Sequence, residues 1–327
     1  MQTRTGALNL GKRGSNNRAL ITHGAVANLN STIVGGFSQN GYDYPACSNV
    51  VTVADGAVVT NVYGFTVGAW HMTHDNAFVI SNATVYAANY SYINYYGTNN
   101  NLYVTHGGQF IAAQNLYFGN SATGGPSHSQ VTGEGSAITN SRYDVAVGVA
   151  TPNTKLTIAD GAKLFVSRNL YVGYKDKTTP ANCELVVSNA TASVIGLEAS
   201  GGYAYLRYGA KLTLQGGSGL LTTPQVDADA GCTLAFESDA TGLPCVDCTK
   251  ATLPRGTKLA IKAEAIFRKG GGTFDVIRHQ DSAAARNAMA FDDTEDVSFD
   301  VPGCQLIRTA AAVKVKVPRQ GLAILLR

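Results

Sequence analysis

Short runs in which apolar and polar residues alternate recur along the first two hundred residues. The clearest is LTIADGAKLFVSRNLYVGY, residues 156 to 174. It reads as three short strands, KLTI, KLFVS and NLYVG, separated by Asp-Gly and by Ser-Arg-Asn, which favour turns. The same unit occupies 51 to 70, 78 to 96 and 102 to 120. It recurs in degenerate form at 19 to 36 and 130 to 149, and a seventh copy begins at 185 to 194. One turn position aligns them: His23, Asp55, Asn82, His106, Glu134, Asp160 and Asn189, spaced by 32, 27, 24, 28, 26 and 29 residues.

That period separates fold classes. Helical repeats need about 33 to 45 residues and helix formers, whereas these units are rich in Val, Thr, Tyr and Phe. A triplet of strands recurring once per unit predicts a coil, each turn stacked about 4.8 Å above the last. The expected fold is all-β: a right-handed parallel β-helix, or β-solenoid, of about seven coils over residues 1–225. The first coil is incomplete, and a β-rich capping segment follows over 226–327. Inward columns lie two and four residues before the turn: Ile21, Val53, Ile80, Val104, Thr132, Ile158, Val187 and Ala19, Val51, Phe78, Leu102, Gln130, Leu156, Leu185. The third strand ends in an inward column, Val34, Val67, Ile93, Phe118, Val147, Val172. A glycine or Asn94 follows, as a corner with positive φ requires. Gln130 and Thr132 fit an apolar interior poorly, so the fifth coil is the weakest. The interior is expected to hold no polar machinery.

The units fit N-x-L-T-V-x-D/N-G-A-x-L-x-V-x-x-x-L-x-V-G, which resembles the repeat of autotransporter-type passengers. A similar repeat occurs in bacterial surface proteins sorted by a PEP-type C-terminal signal. The resemblance covers residues 8 to 200 and implies a secreted or surface-displayed bacterial β-helix without a catalytic motif. The chain departs from it in its six cysteines and in lacking a Pro-Glu-Pro anchor. LNLGKRG aligns with LYVGYKD, placing Gly11 where Gly173 sits, so the sequence opens in a third strand. The expectation is a fragment whose open first coil permits end-to-end self-association.

Composition narrows the function classes. Charged residues are 14%, against about 25% in ordinary domains, and the net charge of +3 argues against nucleic acid. No apolar run is long enough to span a membrane. Charge concentrates at the end, with 21 charged residues in the last 78. That composition suits a cap of alternating strands with one short helix within 282–291.

Catalytic signals are sparse. Only nine acids lie between residues 19 and 200, and Asp55, Glu134 and Asp160 are expected two or more coils apart. A carbohydrate-active β-helix needs clustered carboxylates, so lyase or hydrolase activity is the alternative reading. No cofactor or metal is expected. Cys245-Val-Asp-Cys248 has metal or redox spacing, and Cys232 and Cys304 are its nearest companions. Cap disulfides, free thiols and a four-thiolate site remain open, with disulfides preferred for an extracellular chain.

Length variation falls mainly at one corner, between the third strand and the next coil, and such insertions often mark a binding side. The candidate ligand residues there are Tyr42, Tyr44, Trp70, His74, Tyr95, Tyr96 and Tyr174. Beside them runs an outward column of Ile33, Thr66, Tyr92, Tyr117, Ala146 and Tyr171. Tyr92 and Tyr117 should stack about 5 Å apart, while Tyr171, beyond Ala146, should stand alone. These rings either protect the corner or receive a glycan or a cell-surface partner. The expected function is a non-enzymatic structural or adhesive solenoid.

Overall fold

The alternating residues sit where a stacked coil needs them. Val51, Phe78 and Leu102 pair in register across three coils, as do Val53, Ile80 and Val104, and all six are fully buried. In this computed structural model, which describes residues 6–36, 38–39, 42–43, 45–174, 182–197 and 201–319, parallel coils stack into a β-solenoid of about nine turns. The first strands form an 11-stranded parallel ladder from Arg18–Ile21 to Val297–Phe299. The second and third strands form the other wall, as in Lys163–Val166 and Leu170–Val172. One hydrophobic cluster runs from Val34 to Val317. Parallel pairing continues past residue 226 through Thr233–Glu237 and Lys258–Lys262. Leu8–Leu10 pairs with Thr32–Val34, so Gly11 shares the corner column of the later coils.

The turn column holds in six of its seven positions. His23, Asp55, Asn82, His106, Asp160 and Asn189 all have positive φ. The fifth coil is the exception. Val104 pairs with Val131, and Val131 with Ile158, so Ser129 and Val131 point inward while Gln130 and Thr132 do not. Gly133, not Glu134, takes the left-handed position, at φ 90°. The turn here has four residues, 133–136, against three, 106–108, in the coil before. Aligning on Glu134 therefore placed the strand one residue out of phase.

The interior is not wholly apolar. Where the chain re-enters each first strand, an asparagine ladder closes the corner. Asn17 Nδ2 donates to Asn49 Oδ1 at 2.8 Å, Asn49 Nδ2 to Asn76 Oδ1 at 2.9 Å, and Asn76 Nδ2 to Asn100 Oδ1 at 2.7 Å. Each acceptor oxygen also takes the backbone N–H of the preceding ladder residue. Asn49, Asn76 and Asn100 are fully buried, so these bonds replace every hydrogen bond to water that burial removes. The ladder also explains the corner glycines. At Gly35, with φ 77°, a Cβ would lie 2.3 Å from Asn76 Nδ2. At Gly68, with φ 70°, it would lie 2.3 Å from Asn100 Cγ. Further along, the same column holds Thr154, Cys183, Ala210, Cys232 and Thr257.

The end of the chain departs from coil geometry. Gly272–Arg278 pairs in parallel with Cys245–Thr252 on one side and antiparallel with Ala312–Val317 on the other. Gln305–Arg308 completes the antiparallel sheet. The expected short helix is Ala283–Asn287, where Ser282 Oγ accepts the Ala285 N–H at 3.1 Å. A second helix, Glu264–Arg268, lies where alternation suggested strand; Ala-Glu-Ala are good helix formers, and Arg268 pairs with Glu264 one turn away. The preferred reading of cap disulfides is overturned, because Cys232, Cys245, Cys248 and Cys304 form no disulfide. Cys245 and Cys248 stand three residues apart on one extended strand, an odd spacing that turns their side chains to opposite faces.

Candidate functional site

The third strands build the site. Their central residue faces out because its neighbours face in: Ser91 and Ile93 flank Tyr92, and Leu116 and Phe118 flank Tyr117, all four buried. Register sets Tyr92 opposite Tyr117, and their ring centroids lie 5.6 Å apart with a 34° tilt. Both rings are half-buried on the outer wall, consistent with the assigned strand phase.

Tyr171 does not stand alone. It pairs in register with Tyr205 and stacks on it at 4.8 Å and 17°, and Tyr205 stacks on Tyr203 at 5.0 Å. Tyr205 is not legible from the repeat, because the inward Leu206 after it is followed by Arg207 and not by the glycine or asparagine that marks this corner in the earlier coils. On the other side, Tyr174 folds back over the gap left by Ala146. Its ring lies 5.1 Å from Tyr171 and 6.4 Å from Tyr117, and Ala146 is fully buried.

The corner loops extend the row. Tyr92 meets Tyr95 at 4.6 Å, Tyr95 meets Tyr96 at 4.3 Å, and Tyr96 stacks on Trp70 at 5.9 Å and 4°. Tyr90 and His71 attach at the sides. A single chain of rings thus runs from Trp70 through Tyr96, Tyr95, Tyr92, Tyr117, Tyr174, Tyr171 and Tyr205 to Tyr203. It crosses six coils, about 24 Å at the strand spacing. His74 is not brought into it; it sits on the short ladder Thr73–His74 against Ala46–Cys47, with Nδ1 2.8 Å from Asp75 Oδ2. That contact, with an Asn99 hydrogen bond, holds the Asp75 carboxyl below its ordinary range. Tyr42 lies on the two-residue strand Tyr42–Asp43, its side chain outside the described residues, and Tyr44 lies outside them altogether.

Burial dominates the electrostatics of the row. It raises the phenols of Tyr92, Tyr117, Tyr171 and Tyr205 above 10, and pushes Tyr95 to about 12 with help from its bond to Tyr96. These five phenols therefore stay protonated at neutral pH. Two charged clusters described beside the row are paired within themselves. Asp144 takes Arg168 Nε at 2.8 Å and a second, shorter bond from Arg168 Nη2. Arg207 lies 4.7 Å over the Tyr205 ring and donates to Asp227 at 2.7 Å and Asp229 at 3.1 Å.

The turn column presents a second, smaller feature. Glu134 and Asp160 were expected two or more coils apart, but their coils are adjacent, and both line a shallow hollow with His106. Among the described residues, no three His, Cys, Asp or Glu side chains are grouped to hold a metal. Burial raises the thiols of Cys183, Cys232, Cys245, Cys248 and Cys304, which leaves them weak nucleophiles at neutral pH. Among the described residues, no helix is long and apolar enough to cross a membrane. No protein family, curated protein or solved structure matches the chain.

Proposed function

We propose that this chain is a non-enzymatic structural or adhesive rod, secreted or held at a bacterial surface, that presents its aromatic row to a glycan or a cell-surface protein. The observation that carries this reading is the continuity of the row across six coils on the wall where the loop insertions begin. A rod needs one ring pair to protect a corner. A row sustained by residues from different strands and loops, still partly exposed and uncharged, has the chemistry of a recognition surface. The repeat's likeness to autotransporter passengers supports the extracellular setting.

A panel of plant, host and microbial glycans tests the proposal. Binding without turnover supports it. New reducing ends or unsaturated products would overturn it and favour a carbohydrate-active enzyme, for which the hollow of His106, Glu134 and Asp160 is the place to test, by Glu134→Gln.

A further inference from the structure

We infer that the aromatic row takes a neutral, unbranched polysaccharide lying parallel to the rod axis. This rests on the reading above and narrows its ligand class. Three observations carry it.

The first is direction. From coil to coil the rings follow one another along the axis, at centroid separations between 4.8 Å for Tyr171–Tyr205 and 6.4 Å for Tyr117–Tyr174. Across the wall the surface is one ring wide at Tyr117 and Tyr171, whose strand neighbours point inward, and wider only at its ends, where Tyr90 joins Tyr92 and Tyr203 joins Tyr205. A chain molecule laid along the axis meets rings from successive coils; one laid across it meets only those of a single coil.

The second is repair of a gap. The column itself lacks a ring at Ala146, and Tyr174, from the loop of the next coil, supplies one there. The interior does not need it, since Val145 and Val147 are buried beneath. Continuity of the outer surface is what the replacement preserves.

The third is charge. The phenols of Tyr92, Tyr95, Tyr117, Tyr171 and Tyr205 stay protonated, with hydroxyls that both donate and accept, as sugar hydroxyls do. Among the described residues, two charged clusters beside the row are matched within themselves: Asp144 by Arg168, and Arg207 by Asp227 and Asp229. An acidic polysaccharide would find no surplus cation in these pairs. Beyond Tyr205 the column continues as Asp227, so the apolar track ends in a carboxylate. The third strands under the row are paired on both sides from Ser91–Ile93 to Tyr203–Leu206, so no backbone edge is offered to a peptide strand.

Affinity electrophoresis of the whole chain decides the matter, through gels cast with mixed-linkage β-glucan, xylan or polygalacturonate, at low and high salt. Retardation by a neutral polymer, unchanged by salt, is expected. Tyr174→Ala should weaken it about tenfold, the scale of one lost ring contact. An unchanged melting temperature shows the variant is folded; if it melts early, Tyr203→Ala at the end of the row carries the same expectation. In calorimetry, affinity for linear oligosaccharides should rise with length until the chain covers the row. Salt-sensitive binding to polygalacturonate alone, lost on Tyr174→Ala, would overturn this inference and leave the glycan-binding rod standing. No retardation in any gel, with the chain folded, removes the inference; capture of a surface protein instead would preserve the adhesive rod and discard the polysaccharide.

Discussion

The coils before and after residue 206 close the same corner by different means. Before it, the corner releases long excursions, such as 69–75 and 119–126, and buried side chains close the inside behind them: Asn49, Asn76 and Asn100 in the early coils, Thr154 and Cys183 later. After it, the corner shrinks to four residues, 207–210 and 229–232. There Arg207 ties its own turn to the next through Asp227 and Asp229. Amides that bond to the coils above and below do not depend on what the loop outside is doing. An ion-paired turn uses its own outer residues as the closure, and the aromatic row ends where that arrangement begins.

The contrast can be broken at its foundation first. Ile158→Asp should destabilise the chain by about 4 kcal/mol or more, an unpaired charge in the core, while Thr157→Asp, one residue away and outward, should cost under about 1 kcal/mol. Chemical denaturation of the two variants checks this; equal losses would mean the strand phase is wrong.

Next comes the corner column itself, read at its two ends. Asn76→Val removes bonds to Asn49, Asn100 and the Ala46 carbonyl, and should cost about 3 to 5 kcal/mol. Thr257→Val, in the same column, replaces a buried hydroxyl that finds no protein partner, and should be neutral or stabilising by up to about 1 kcal/mol. Opposite signs sharpen the comparison. A common sign would show that the two regions close alike.

The aromatic row gives a smaller effect. Replacing Tyr92 and Tyr117 together by Thr should cost about 1 to 2 kcal/mol in a thermal melt. Loss of ligand binding at preserved stability would identify the pair as a platform; lost stability with binding intact would make it a structural brace.

The smallest expected effect is pH dependence. The phenols of Tyr92, Tyr117, Tyr171 and Tyr205 have folded pKa values raised above the unfolded value of about 10. The folded chain therefore holds protons that the unfolded chain releases, so this stability is full below pH 10 and declines as pH rises above it. Absorbance near 295 nm should show a set of tyrosines that ionises later in the folded chain than in the unfolded chain.

Local rules made much of the fold legible. Positive φ favours Asn, Asp, His and Gly at turns, and strict alternation marks an inward face, so the turn column and most inward columns follow from residue type alone. The fifth coil slipped because Gly-Glu-Gly offers left-handed positions on both sides of Glu134, and only pairing with Val104 and Ile158 decides between them. The asparagine ladder had a readable signal: Asn17, Asn49, Asn76 and Asn100 each fall six residues before the turn residue. Its partners, however, lie one coil away and are invisible within a single repeat. Of the site, the Tyr92–Tyr117 contact followed from register, but Tyr174 over Ala146 depends on a loop folding back, which no periodicity encodes. His74 shared a loop with Trp70 in sequence, yet the turn between them directs it to a different ladder.

The asparagine ladder also bears on how such a chain diversifies. Each amide secures its corner from within, so a loop can be lengthened, exchanged or rewritten without disturbing the register of the coils on either side. The corner behaves as a tolerant splice point, and the ladder as the seam that keeps the edit local. Variation in what the rod contacts is thereby uncoupled from inheritance of the rod, and grafting foreign segments within 69–75, the corner that Asn76 closes, is the form in which this separation is available to design.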